Sequence, residues 1–179
     1  ILALLWVTKN EDSFFLSFPL DLLETLKPRI QMFIIMSDVV IEDLTKDYIQ
    51  VGSVSENHQK AMAINDKLSL IIADKQDTNK FNMESIENWD MACIDSFLPE
   101  IFSITSEKLV PQMLNLDIDE FGVNFSKGCY PGQEVVARLH YLGSAKRRLF
   151  AFELDSDVNV GDSLYCASSK SAKARGARY

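Results

Sequence analysis

Cys129 lies in a segment whose residue types favour a reactive thiol. Gly128 and Gly132 permit backbone conformations that other residues avoid, and Pro131 suits the first turn of a helix. Cys129 therefore directly precedes a predicted helix N-terminus and follows Lys127 by two residues. A helix N-terminus and a nearby cation both favour the thiolate over the thiol. The spacing alone leaves two interpretations open, a reactive cysteine and a structural cysteine in a turn.

Partners for that thiol are few in this sequence. The three cysteines, Cys93, Cys129 and Cys166, lie far apart, and the only histidines are His58 and His140. This spacing predicts no self-contained zinc site or four-thiolate iron–sulfur cluster, and so no resident metal. If one helix spans 131–141, His140 lies about 14–15 Å along the axis from Cys129, too far for a nucleophile–base pair. His58 has no local support as a base.

Composition and hydrophobic patterning predict an α+β fold for the helices and strands that position the thiol. The 179 residues are 47% hydrophobic with few glycines and prolines, a composition that excludes disordered, collagen-like and coiled-coil classes. No apolar run reaches the ~20 residues of a membrane span, so we expect no membrane partner. Hydrophobic patterning predicts strands at 2–7, 14–18, 39–44, 48–54, 68–73, 149–154 and 163–166, and helices after Pro19, over 55–63, from Ser85 to Pro99 and over 131–141. This order favours an antiparallel sheet with helices on one face.

Several finer features follow from the same patterning. One stripe of the second long helix carries Ile86, Trp89, Cys93 and Phe97. The polar residues at 74–82 predict a loop. The 103–128 segment is predicted to be mostly irregular chain. A loop that long in a compact domain is usually functional or held by a ligand. The small, basic tail at 167–179 is expected to be poorly ordered.

Charge is distributed unevenly along the chain. Residues 1–125 carry 9 Lys and Arg against 21 Asp and Glu, whereas residues 126–179 carry 9 against 5. This asymmetry is compatible with an anionic ligand near the C-terminal third, and equally with a mixed-charge surface. Three cysteines without a disulfide framework are typical of a reducing compartment, and we expect the cytoplasm.

The segment Lys127-Gly128-Cys129-Tyr130 followed by Gly132-Gln133-Glu134, which we call the motif, resembles the signature of the YgfZ family. These folate-binding proteins are related in fold to the T-protein (aminomethyltransferase) of the glycine cleavage system. Flanking segments extend the resemblance, at 110–112 and 115–116 before the motif, and at 136–138, 143 and 146–147 after it. Seven matched positions within eight residues make it specific.

The resemblance implies a fold, a ligand and a role. It implies a partial aminomethyltransferase-like fold with a ferredoxin-like antiparallel sheet over residues 1–145, the folate-binding region, and the start of a C-terminal β-barrel over 146–179. It implies tetrahydrofolate or a folate derivative as ligand, and iron–sulfur enzymes or assembly proteins as partners. The implied role is support of tRNA modification and iron–sulfur cluster assembly or repair, as an accessory factor rather than a classical enzyme. Direct contact with tRNA is left open.

Site residues carry over at matching positions. Cys129 matches the signature cysteine, with Lys127 beside it, and Trp89 matches a tryptophan associated with folate binding. An aromatic neighbour suits a flat pteridine, and the anionic folate tail would meet the cations Arg138, Lys127, Lys146, Arg147 and Arg148. A core role for Trp89 and a solvated basic strand remain alternatives.

The sequence departs from the family pattern at both ends, and these departures leave two other functional interpretations open. The family's N-terminal segment is expected to be missing here, and the barrel to be cut short. The chain could then be a remnant that cannot complete a folate pocket. A folate-dependent one-carbon transferase is the other alternative, but it needs an acid or base beside the folate nitrogens that the sequence does not assign.

Overall fold

The computed structural model describes residues 1–54, 61–118, 122–143, 145–165 and 173–175. The chain divides into two compact units. We call Leu5–Leu98 the sheet unit, and Ile1–Leu4 with Pro99–Tyr179 the motif unit, because the latter contains the motif. Helices and antiparallel strands occur in both, which confirms the predicted α+β class. The predicted bounds 1–145 and 146–179, for a folate-binding region and a barrel, stay a prediction.

The helices and strands follow in chain order. They are β1 (Trp6–Asn10), β2 (Ser13–Ser17), α1 (Leu23–Gln31), β3 (Tyr48–Val54), β4 (Met62–Ala63), β5 (Leu68–Asp74), α2 (Ile86–Asp95), α3 (Gln133–Tyr141), β6 (Ser163–Tyr165) and β7 (Lys173–Arg175). Short 3-10 helices cover Leu20–Leu22, Lys75–Lys80 and Pro111–Leu114.

The main sheet of the sheet unit explains why β5 is almost wholly apolar. Its order is β3-β5-β4, all antiparallel, so β5 lies in the middle. Leu68 and Leu70 are buried on one face, and Ile71 and Ala73 on the other. Because both faces of the strand are covered, its sequence lacks the alternation of a half-exposed strand. The predicted strands 48–54 and 68–73 are confirmed.

Helix α2 packs against the face of the sheet that carries Leu68 and Leu70, through Trp89 and the buried Cys93. Ser85 caps the helix, its hydroxyl accepting a hydrogen bond from the Glu87 N–H at 3.4 Å. The predicted stripe is wrong at its ends. Phe97 lies beyond the last helical residue with a φ of 53° and is 44% exposed, and Ile86 is 71% exposed. The helix thus ends four residues before Pro99.

Other predictions for the sheet unit have mixed outcomes. The N-terminal hairpin is confirmed, with a shorter turn, since β1 and β2 pair from Trp6↔Ser17 to Asn10↔Ser13. The strand predicted over 2–7 is wrong at 2–5, because β1 begins only at Trp6. The helix after Pro19 is confirmed as a 3-10 turn that continues into α1. The strand over 39–44 is wrong, because this segment forms no strand, and 74–82 contains a 3-10 helix rather than a plain loop. Of the predicted helix over 55–63, residues 55–60 lie outside the described residues and Met62–Ala63 is a strand.

The motif unit is built around α3 and the 3-10 helix Pro111–Leu114. Its buried residues are Ile101, Thr105, Gln112, Leu114, Leu116 and Val136. The strand over 149–154 is wrong, because this segment pairs with no described strand. The strand 163–166 is confirmed as far as Tyr165, where the described residues stop. It pairs with Lys173–Arg175 in the tail, which we expected to be poorly ordered.

Among the helices of the described residues, none has the length and apolar character that crossing a bilayer requires.

Candidate functional site

Cys129 is exposed at the surface of the motif unit, directly before a closed turn. The Tyr130 N–H donates to Gln133 Oε1 at 3.1 Å, and the Gln133 N–H donates to the Tyr130 carbonyl oxygen at 3.2 Å. Gly132 closes the turn with a φ of 86°, a conformation that glycine adopts without steric cost. The thiol is therefore reachable from solvent. The predicted helix over 131–141 begins only at Gln133, so Cys129 lies four residues before the first residue of α3 rather than directly before it. Gly128, in contrast, has no positive φ, so its backbone conformation does not require glycine.

Lys127 is exposed and engages an aromatic ring. Its Nζ lies 4.7 Å from the centroid of the Tyr130 ring, a cation–π contact. This contact places the ammonium group of Lys127 alongside the same turn that follows Cys129. A role for Lys127 beside Cys129 stays a prediction.

An aromatic contact attaches the chain before the motif to the far end of α3. The rings of Phe125 and His140 stack with centroids 3.7 Å apart and planes 18° apart, and Tyr141 meets both rings edge-on. His140 is thus engaged with aromatic rings, about 10 Å along the helix axis from Gln133 at the usual rise per residue. His58 lies outside the described residues.

Gln112 is a buried side chain that binds the backbone of α3, and the sequence analysis did not identify it as a site residue. Its side chain is 1% exposed, and Nε2 donates to the Val136 carbonyl oxygen of α3 at 2.7 Å. That bond fixes the orientation of the amide, because only the nitrogen can donate. The other amide atom, Oε1, is buried and accepts no hydrogen bond from the described residues. The only sequence signal was its place in the long irregular segment before the motif.

An ion pair fixes the loop that follows Gln112. Arg148 donates through both terminal nitrogens to Asp117, with Nη2 to Oδ2 at 3.0 Å, and through Nη1 to the Gln112 carbonyl oxygen at 3.1 Å. The hydrogen bond from Arg148 holds the pKa of Asp117 below its usual value, and the same bond raises the pKa of Arg148. Arg148, predicted among the free cations for a folate tail, is therefore occupied by Asp117.

Trp89 belongs to the sheet unit and is half-buried there. Its indole lies directly on the backbone of Gly52, where an added Cβ would stand 2.2 Å from the ring. The side chain also packs against the cluster of Ile64, Leu68, Leu70 and Cys93. The position fits a core tryptophan that keeps part of its ring accessible.

The remaining predicted site residue, Arg138, is exposed in the last turn of α3. The motif unit thus holds Cys129, Lys127 and Arg138, and the sheet unit holds Trp89. Among the described residues, no three His, Cys, Asp or Glu side chains come together as a metal site. Cys166 lies outside the described residues.

Relatives of the chain include several proteins with one name. An uncharacterised protein of Haemophilus influenzae is 30% identical over 162 residues, 87% of this chain and 57% of that protein. The tRNA-modifying protein YgfZ of Colwellia psychrerythraea is 35% identical over 115 residues, 62% of this chain and 35% of that protein. The protein of the same name from Pectobacterium atrosepticum is 40% identical over 88 residues, 48% of this chain and 26% of that protein.

The chain belongs to the YgfZ family. This confirms the resemblance carried by the motif. The chain spans between about a quarter and somewhat over half of the length of these three relatives. No protein-family model matches the YgfZ-family chain, and no solved structure matches it.

Proposed function

We propose that the chain is a folate-binding accessory protein that supports tRNA modification and the assembly or repair of iron–sulfur clusters, with the Cys129 thiol as its working group. The observation that carries this proposal is the exposed cysteine of the motif at the entrance to α3. Relatives named tRNA-modifying protein YgfZ support the link to tRNA modification. The cytoplasm is the proposed compartment.

The proposed fold is a partial aminomethyltransferase-like fold. The antiparallel order β3-β5-β4 with α2 on one face supports the ferredoxin-like part, proposed to lie within the folate-binding region 1–145. The antiparallel pair β6–β7 supports the start of a barrel within 146–179.

Tetrahydrofolate or a folate derivative is the proposed ligand, and the residues present fit its chemistry. Trp89 offers a half-buried ring packed against Gly52, and aromatic surface of this kind suits a flat heterocycle. When bound, a reduced folate supplies nitrogens that carry one-carbon groups.

The proposed chemistry of Cys129 is that of a single accessible thiol. A typical iron–sulfur cluster takes four protein ligands, and one thiol supplies one of them. We therefore assign the cluster itself to a partner enzyme or assembly protein, with Cys129 in transient contact. Lys127, whose ammonium group lies over the Tyr130 ring, is proposed to assist Cys129 from the same turn.

The transferase alternative receives no support from the described geometry. It needs a carboxyl group positioned to exchange protons with the folate nitrogens. Asp117, a carboxylate in the loop before the motif, is held by Arg148 through two hydrogen bonds. We propose no one-carbon transfer step for this chain.

Folate binding is tested by titrating the protein with tetrahydrofolate while following tryptophan fluorescence, with calorimetry as a second readout. We expect saturable quenching and a matching heat of binding, and Trp89→Phe should weaken the binding seen by calorimetry. Calorimetry decides this comparison, because Trp6 packs against the same cluster as Trp89 and adds its own fluorescence. A well-folded wild-type protein that gives neither quenching nor heat would contradict the proposal and favour a remnant without a folate pocket.

The role of the thiol is tested by replacing Cys129 with alanine in the chromosomal gene. We expect loss of most activity of iron–sulfur enzymes and a fall in the iron–sulfur-dependent modified nucleosides of tRNA, measured by mass spectrometry. Cys93→Ala is the matched control, because it removes a buried thiol from α2 and leaves the motif intact. Equal activity in the Cys129→Ala and wild-type strains would remove the thiol from the mechanism.

A further inference from the structure

Two exposed rings at the end of α3, packed with the half-buried ring of Phe125, form an aromatic surface that the proposed function does not use. Phe125 and His140 stack face to face at 3.7 Å, and Tyr141 completes the group, edge-on to both rings. His140 is exposed, and Tyr141 is 66% exposed although it is a large aromatic residue. We call these three residues the aromatic platform. Its rings are already fixed against one another, so a flat ligand ring could stack there with little further ordering.

Positive charge is concentrated in the chain around this platform. Residues 126–152 contain five cationic side chains and one acidic one, Glu134, in a chain whose net charge is −8. Arg148 is neutralised by Asp117, whereas the other four cations are exposed. These four are Lys127, Arg138, Lys146 and Arg147. This stretch of chain is thus net positive although the whole protein is acidic, and Asp117, an acidic group that interacts with His140, is itself paired with Arg148.

We propose that the aromatic platform and its four cations bind single-stranded RNA, as in an unpaired loop of tRNA. Exposed rings stack on unpaired bases, and cations contact the phosphates between them, which is the usual combination at single-strand sites. A duplex fits less well, because its bases are already stacked on one another. An acidic peptide would use the cations but would leave the aromatic faces unused. The choice of tRNA rests on the proposed function, whereas the preference for unpaired RNA rests on the platform.

The test measures RNA binding by fluorescence anisotropy with the full chain and no folate. The probes are a labelled ten-nucleotide single strand, a hairpin with a seven-nucleotide loop, and a blunt duplex of the same sequence. We expect the single strand and the loop to bind at least about 10-fold more tightly than the duplex, which lacks unpaired bases. The logarithm of the binding constant should fall with the logarithm of salt concentration with a slope of about −2 to −3, as three or four phosphate contacts to a single strand would give.

Variants at Tyr141 separate stacking from charge. Tyr141→Ala should weaken binding by about 5- to 30-fold, the usual loss for one stacked base, and Tyr141→Phe should bind like the wild type. Phe14→Ala is the matched control, because it removes an aromatic side chain that is 64% exposed in the sheet unit. Circular dichroism confirms the fold of each variant.

Three results would overturn the inference. They are unchanged binding by Tyr141→Ala, equal affinity for the duplex, and competition by a polyglutamate peptide as effective as by unlabelled RNA. Each leaves folate quenching through Trp89 and the requirement for Cys129 untouched. Conversely, loss of folate binding would leave the RNA result standing, so the two proposals fail separately.

Discussion

Gly52→Ala is expected to destabilise the protein by about 2–3 kcal/mol, a typical cost of forcing an extra atom into close packing. The new Cβ would lie 2.2 to 2.6 Å from three ring atoms of Trp89, well inside van der Waals contact. The indole is a rigid ring on α2, and the neighbouring Cys93 is 4% exposed, so the ring cannot move without shifting the helix. Urea unfolding followed by circular dichroism measures the loss.

Gly128→Ala is the matched control for Gly52→Ala. No atom lies within 4 Å of the Cβ it would add, and Gly128 has no positive φ. We expect its unfolding free energy to stay within about 0.5 kcal/mol of the wild type. If the two alanine variants are equally stable, Trp89 does not pack on Gly52 as described. Under the folate proposal, Gly52→Ala also weakens folate quenching, because it moves the ring proposed to contact the ligand.

Arg148→Ala is expected to cost about 2–4 kcal/mol of unfolding free energy, because it leaves a carboxylate without its partner. The Asp117 side chain is 8% exposed and that of Arg148 31%, so water compensates only in part. The substitution also removes the hydrogen bond to the Gln112 carbonyl oxygen. Since Gln112 donates to Val136 of α3, we expect the loop and the helix to loosen together. Urea unfolding measures the free energy, and hydrogen exchange at α3 measures the loosening.

The neighbouring Arg147 provides the control for Arg148. Arg147 is exposed and forms no ion pair with the described residues. Arg147→Ala should therefore change stability by no more than about 0.5 kcal/mol. The double variant Asp117→Asn/Arg148→Ala should lose less than the two single variants added together, because the two side chains interact directly. Strict additivity would contradict the ion pair.

Hydrophobic patterning correctly predicted two kinds of element. These are strands that pair with a neighbour close in sequence, and strands that are buried on both faces. The hairpin β1–β2 needs only a local turn, and β3 and β5 follow from dense apolar runs. The start of α2 follows from the Ser85 cap, and α3 from the motif and the apolar residues behind it. The same local pattern left a reactive and a structural Cys129 open, and it is the structure that shows the residue exposed.

The wrong predictions share a physical cause, since an apolar run forms a strand only beside an open sheet edge. In the segment 39–44, Val39 and Val40 are 56% and 79% exposed. In 149–154, Phe150 and Phe152 are 65% and 61% exposed. Neither segment pairs with a strand in the part of the chain that the structure describes.

The polar contacts that support α3 could not be predicted, and the reason is different. Asp117 and Arg148 are 31 residues apart, and Gln112 and Val136 are 24 apart. No periodicity relates such residues, because the contacts arise only when the chain folds back. The sequence therefore located the motif but missed the polar side chains that hold its helix.

The accessibility of the Cys129 thiol is the central claim, and it can be measured directly. In a Cys166→Ser protein, the thiol reagent DTNB should titrate one thiol rapidly under native conditions, and mass spectrometry of the alkylated protein should locate it at Cys129. Cys93, which is 4% exposed, should react only when the protein unfolds in denaturant. If Cys129 stays unreacted in the folded protein, or reacts no faster than Cys93, the thiol at the entrance to α3 is not available for the role proposed.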